Sequence, residues 1–299
     1  MVAKENLEVI FNNLVNGVGS YLKRYNIKSM ILGISGGIDS TVVAAICHEV
    51  SRKYNIPLYG YALMCNSNQS DEAEAADMVG NAFCDYYRSI DIQPIVGEIN
   101  TNFKFALGGK KETPISQGNI KARTRMMFLY NAASLYSGIV MDTDNMTEHY
   151  LGFWTIHGDE GDLNPIGDLW KHEVYELAHW LSNKYKDDIY QYSMHLAIED
   201  SIKLTPTDGN GVKAGGDLAQ IAPGATYNDV DFILKQTLDY IDNKKDESYS
   251  TDDIINYIIV EHAYLKREIV EQVVKRFVTS GFKRRHRPIV IDINTGRDK

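Results

Sequence analysis

Cysteine is scarce in this chain and shows no pairing pattern. Cys47, Cys65 and Cys84 are the only three among 299 residues, an odd number without CxxC spacing. A disulfide scaffold or structural zinc is therefore not expected, and the thiols read as small buried hydrophobes in a reducing, cytoplasmic setting. Long apolar runs are missing too: none approaches the ~18 residues of a bilayer span, and no signal-type stretch follows residues 1–6, so neither membrane insertion nor an export leader is expected. Cations are in deficit, with 31 Lys+Arg against 40 Asp+Glu and a formal charge of −9. That balance disfavours nucleic acid as a partner, although a few local cations suffice for a small anion. There is no internal repeat and no low-complexity tract. What remains is 44% hydrophobic and 24% charged, an ordinary globular composition long enough for a sizeable core.

Hydrophobic periodicity organises the first two thirds of the sequence. Leu7, Ile10, Phe11, Leu14, Val15, Val18, Tyr21 and Leu22 fall at steps of three and four, predicting one helical stripe that packs on its own domain or supplies a subunit interface. Short apolar runs at 30–32, 58–64, 89–96 and 139–141 read as strands, and 41–51, 71–86, 119–136 and 168–185 read as helices. Strands alternating with helices predict an α/β fold: a doubly wound parallel sheet flanked by helices. Periodicity fades after Asp200. Residues 205–224 hold five glycines and two prolines and read as a long mobile loop. A polar stretch at 243–253, a helical pattern over 254–277, a basic tail from 283 to 299 and an apolar run at 288–293 complete a single elaborated domain.

Chemistry enters at Gly33-Ile34-Ser35-Gly36-Gly37-Ile38-Asp39-Ser40, between the first strand and the next helix. Three glycines allow close backbone approach, the following helix offers unpaired N–H groups and its positive dipole end, and Ser35 and Ser40 add hydroxyls. Such a turn cradles oxyanions. It is not a Walker A loop, because Ile38 stands where the second glycine belongs and no lysine follows. Nor is it a GxGxxG dinucleotide turn.

The Ser-Gly-Gly-x-Asp-Ser segment resembles the pyrophosphate loop of the ATP-pyrophosphatase enzymes, which cleave ATP to AMP and pyrophosphate. Further segments narrow the resemblance to the ammonia-dependent NAD synthetases, over residues 21–293. They are Gly118-Asn119-Ile120-Lys121-Ala122-Arg123, Asp142-Thr143-Asp144 with Glu148, Gly152-Phe153-Trp154-Thr155, Gly158-Asp159, Asp162-Leu163-Asn164-Pro165 leading to Lys171, Pro206-Thr207, Thr226-Tyr227 and Lys283-Arg284-Arg285. The resemblance implies an adenine nucleotide alpha hydrolase-like fold, a homodimer, and Mg²⁺ with ATP as co-substrate. ATP would be held by Gly33 to Ser40, Thr143, Lys171 and Thr207, with Asp39 and Glu148 as metal carboxylates suited to a hard cation. Deamido-NAD would meet Arg123, Asp162 and Lys283, with Asp162 and Lys171 catalytic. With no residues left over for a glutamine-hydrolysing domain, ammonia is the expected nitrogen donor.

Read without the resemblance, Glu148 is a solvated helix charge, Arg123 a surface salt-bridge partner, and Lys283 to Arg287 a phosphate clamp or a solvated tail. The chain also departs from the family pattern. Ile156 stands where the family has a substrate-contacting lysine, Phe282 where it has a histidine, and the segment before Asp162 is one residue shorter. All three departures fall on the dinucleotide side. They keep two rivals open: an adenylating ligase with another carboxylate acceptor, and a non-catalytic nucleotide-binding homologue.

Overall fold

The computed structural model describes residues 4–68, 70–106, 108, 110–205, 216–244 and 248–284. Helix α1 (Lys4–Arg24) leads into β1 (Ser29–Gly33), followed by α2 (Ile38–Tyr54), β2 (Leu58–Met64), α3 (Ser70–Phe83), β3 (Tyr86–Asp91), α4 (Gln93–Ala106), α5 (Pro114–Leu135) and β4 (Gly138–Met141). Helices α6 (Met146–Leu151), α7 (Lys171–Tyr185), α8 (Tyr192–Lys203), α9 (Gly216–Ile221), α10 (Tyr227–Asn243), α11 (Thr251–Glu261) and α12 (Arg267–Thr279) complete the described chain.

The strands form one sheet in the order β3-β2-β1-β4, every pair parallel. Alternation within β1 shows why both faces must be covered. Met30 and Leu32 enter the core beneath α1, α2, α7 and α8, whereas Ile31 points to the core under α4 and α5. The chain winds outward from β1 to β3 and then returns to the other side of β1 as β4. The strand order therefore reverses between β1 and β4, and the crevice at their carboxyl ends is where such sheets bind ligands. A separate apolar cluster, from Leu151, Ile221, Val230, Ile233, Ile254 and Val270 among others, packs the C-terminal helices against α6.

Several sequence expectations need correction. The stripe on α1 is spent inside the chain: Leu7, Phe11, Val15, Val18 and Leu22 are all buried in the main core. It is not a free subunit interface. The third strand ends at Asp91, five residues earlier than read, because Pro94 sits in the first turn of α4, where its missing N–H costs nothing. Ile92 and Val96 then pack one helical turn apart in the same core. The pattern over 254–277 is two helices, broken at 262–266 with α12 starting at Arg267. Part of the 205–224 loop is the short helix α9, while residues 206–215, with Pro206 and Thr207, lie outside the described residues, as do 285–299 of the basic tail.

Candidate active site

The turn after β1 is shaped by its glycines. Gly36 has φ +83°, and a Cβ there would meet the Glu72 carbonyl oxygen at 2.6 Å and the Ala76 nitrogen at 2.8 Å. Backbone cannot yield as a side chain can, so only glycine lets α3 approach this closely. Gly37 is extended and carries no side chain to cap α2, leaving that helix's first N–H groups for a ligand. The hydroxyls stiffen the turn: Ser35 and Ser40 oxygens lie 2.9 Å apart, Gly37 N–H donates to Ser35 at 3.2 Å, and Ser40 and Thr41 donate to the Gly37 carbonyl at 3.0 and 2.9 Å.

This turn lines a cavity of about 270 Å³ at the β1/β4 reversal. Gly33, Ile34, Ser35, Gly37, Ile38, Asp39 and Ser40 contribute from one side, Thr143, Asp144 and Glu148 from beyond β4, and Lys171 from the start of α7. Lys171 is only 1% exposed, and its ammonium bridges two carboxylates, Asp39 Oδ2 at 2.5 Å and Glu148 Oε1 at 3.3 Å. Buried ions require this kind of pairing, because desolvation otherwise outweighs their attraction. Its position 5.5 Å from the Tyr227 ring centre adds a cation–π contact.

Glu148 is set by helix capping. Asn145 Oδ1 accepts the Glu148 N–H and Glu148 Oε2 accepts the Asn145 N–H, both at 3.0 Å, a reciprocal cap that leaves Oε1 for Lys171. The Asn145 amide also donates to Asp39 Oδ1 at 2.9 Å. One buried asparagine thus ties the two carboxylates together.

Carboxyl groups crowd the β4 side. Burial pushes the Asp142 carboxyl up to about 6, against the pull of N–H bonds from Asp144 and Gly161. Burial, then the neighbouring Asp142 and Glu148 charges, holds Asp144 well above the usual carboxylate range. Asp159, which accepts the Thr155 N–H at 2.8 Å and lines the main cavity, is raised by burial as well. A second cavity of about 370 Å³ lies against Asp142, Asp144, Glu160 and Trp154, with Asp144 shared by both cavities.

Of the residues expected from sequence, Gly33, Ile34, Ser35, Gly37, Ile38, Asp39, Ser40, Thr143, Glu148 and Lys171 converge on the main cavity, with Gly36 inside the same turn. Three others line neither cavity. Asp162 is exposed, accepting the Tyr130 hydroxyl at 3.0 Å and the Val140 N–H at 3.2 Å. Arg123 is exposed and donates twice to the Ile156 carbonyl, at 3.3 Å each. Lys283 donates to the carbonyls of Gly152, at 2.8 Å, and of Trp154, and burial lowers its pKa. Arg284 similarly binds the Tyr150 and Phe277 carbonyls, at 2.8 and 2.9 Å. Residues missed from sequence are Asn145 and Arg125. Arg125 lines the main cavity and reaches the Leu63 carbonyl at 2.9 Å and Asn68 Oδ1 at 3.2 Å.

The family model for NAD synthase matches residues 10–287. The chain belongs to the NAD synthase family. It is 34% identical over 228 residues to the NH(3)-dependent NAD(+) synthetase of Methanococcoides burtonii, covering 75% of this chain and 78% of that one. To the NH(3)-dependent NAD(+) synthetase of Wolinella succinogenes it is 29% identical over 285 residues, covering 95% and 96%. Among solved structures, the NMN synthetase of Francisella tularensis superposes with a TM-score of 0.72 at 23% identity, covering 96% of this chain and 98% of the other. The NH3-dependent NAD synthetase of Campylobacter jejuni does so with a TM-score of 0.66 at 21% identity, covering 95% and 99%. These superpositions carry the fold, a single α/β domain built on a parallel sheet. The matched range takes in every site residue named above.

Proposed function

We infer that this protein is an ammonia-dependent NAD synthetase, a ligase that adenylates the nicotinate carboxylate of deamido-NAD with ATP, releases pyrophosphate, and joins ammonia to give NAD and AMP. The observation that carries the reading is the convergence of Lys171 and Glu148 on Asp39 of the 33–40 turn. The turn's N–H groups and hydroxyls hold the pyrophosphate end of ATP, preorganised where negative charge develops as the α-phosphate is attacked. Lys171 contributes its ammonium to the same phosphates, and Thr143 and Thr207 complete the nucleotide contacts. Arg123, Asp162 and Lys283 belong to the dinucleotide side, where all three already order the surrounding backbone.

Magnesium fits this donor set. Asp39 and Glu148 flank the Lys171 ammonium and offer only oxygen, so a divalent ion would be held by them once that ammonium turns to the phosphates. A hard divalent ion takes such ligands together with phosphate oxygens and water. When bound, Mg²⁺ neutralises triphosphate charge and aligns it. Turnover is expected to stop with a chelator and return on adding Mg²⁺.

A homodimer is part of the proposal, through α4 and α5 and not α1. Phe103, Phe105, Met127 and Leu135 are exposed there, from 46% to 88%. Light scattering is expected to give twice the 33.8 kDa chain mass. A cytoplasmic setting is proposed from the three cysteines, all free thiols. Among the described residues no helix is long and apolar enough to cross a membrane.

The test is to supply Mg·ATP, ammonium and deamido-NAD and follow products. NAD, AMP and pyrophosphate in equal amounts are expected, and no turnover would refute the reading. Ile156 and Phe282 favour one second reading, the same chemistry on another carboxylate acceptor. AMP release that requires nicotinate mononucleotide in place of deamido-NAD would establish it.

A further inference from the structure

The carboxylate of Asp231 has no part in the chemistry above, yet it is buried to 1% exposure. It lies on α10 among Val230, Ile233 and Leu234, which pack the C-terminal apolar cluster. Both of its oxygens are engaged from outside that helix. Oδ1 accepts the hydroxyl of Thr147, while Oδ2 accepts the backbone N–H of His172 at 3.0 Å and lies 2.7 Å from that residue's Nδ1. The Thr147 hydroxyl in turn accepts the backbone N–H of Lys171 at 2.9 Å.

Burying a carboxylate carries a large desolvation cost, which an apolar side chain on this helix face would avoid. What the charge accomplishes is local to α7. The first N–H groups of a helix have no partner within it, and Trp170 at the N-cap has no side-chain acceptor. Thr147 and Asp231 take over that capping from two other helices, with the negative charge at the positive end of the α7 dipole. Thr147 immediately precedes Glu148, and His172 immediately follows Lys171. One carboxylate therefore fixes a chain neighbour of both Glu148 and Lys171.

We propose that Asp231 is a positioning residue for adenylation: through Thr147 and His172 it holds the Glu148 carboxylate and the Lys171 ammonium in register with Asp39. It thereby couples the C-terminal helices to the phosphate end of the cavity. Displacements near 1 Å at reacting groups lower rates by about a hundredfold. The proposal rests on the assignment of Lys171 and Glu148 to the ATP chemistry.

The test compares wild type, Asp231→Asn, Thr147→Val and the double variant, first by thermal melting and then by kinetics with ATP, deamido-NAD and Mg²⁺ varied. Asp231→Asn keeps the volume but turns an amide N–H toward one of the existing donors. It is expected to lower kcat by about ten- to a hundredfold and to raise the half-saturating Mg²⁺ severalfold, as loss of a partner behind a metal ligand does. The KM for deamido-NAD stays within about twofold, since uniform substrate binding is untouched. The double variant is no more than about twofold worse than Asp231→Asn, because both changes break one path. A purely structural role lowers the melting temperature and leaves kcat per folded molecule and Mg²⁺ half-saturation unchanged, and that result overturns the proposal. If Asp231→Asn does not fold, Thr147→Val carries the same expectation. Calorimetric titration of Mg·ATP reads the geometry without turnover. Weaker Mg·ATP binding by the variants beside an inactive wild type would support positioning while overturning the assigned reaction. Unchanged binding and kinetics beside an active wild type would overturn positioning alone.

Discussion

Lys171→Met is expected to lower kcat by about a hundred- to a thousandfold, the usual effect of removing one preorganised charge from a developing oxyanion. Methionine approximates the stem but not the ammonium, so Asp39 and Glu148 are left converging on a buried point with nothing between them. Two carboxylates in that position repel. Breaking a buried ion pair by removing one member costs about 3–5 kcal/mol, so the variant also melts earlier. Here the two roles of the site separate. A divalent cation restores the missing positive charge, so Mg²⁺ should raise the melting temperature of the variant more than that of wild type. It should not restore kcat, because the contact between lysine and phosphate stays absent. Thermal melts with and without Mg²⁺, beside steady-state rates of AMP formation, check both halves. Equal Mg²⁺ stabilisation of the two proteins would contradict the convergence on which the site is built.

Asp39→Asn is expected to abolish AMP formation to the limit of detection, a loss of about a thousandfold or more when a metal ligand and a charge partner disappear together. The substitution keeps the shape, but Asn145 and Lys171 bond different oxygens of Asp39, so only one of them meets the amide oxygen and the fold should persist with some loss of stability. The half-saturating Mg²⁺ is expected to rise strongly. Glu148→Gln should act in the same direction but more weakly, because its reciprocal cap with Asn145 survives through the amide oxygen. Full activity in Asp39→Asn would remove this carboxylate from the mechanism.

The strand, turn and helix around Gly33 to Ser40 were legible because local chemistry dictates them: an apolar run, glycines where backbone must approach, and a helix start. The same logic located the sheet, while the reversal of strand order between β1 and β4 came only with the structure. Asn145 was not legible, since its bond to Asp39 spans 106 positions and nothing local announces it. Its reciprocal cap with Glu148, Asn-x-x-Glu before a short helix, was a readable signal for the helix start but not for the site. Arg123 and Arg125 differ by two positions on one helix, which turns them ~200° apart. Sequence offers no way to say which one faces the cavity, and it is Arg125. Helix α10 escaped notice although Val230, Ile233, Leu234 and Thr237 hold the helical spacing. A buried aspartate, Asp231, interrupts that apolar stripe, and the residue that blurred the pattern is the one whose carboxylate reaches α6 and α7.

The proposed reaction begins with attack by the nicotinate carboxylate at the α-phosphate of ATP, and isotope transfer reads that bond directly. Deamido-NAD labelled with ¹⁸O in its carboxylate is incubated with the enzyme, Mg·ATP and ammonium, and the products are separated for mass spectrometry. An acyl-adenylate broken by ammonia leaves one carboxylate oxygen on phosphorus, so AMP is predicted to carry one ¹⁸O while pyrophosphate carries none. Label in inorganic phosphate beside ADP, or AMP without label, would contradict it.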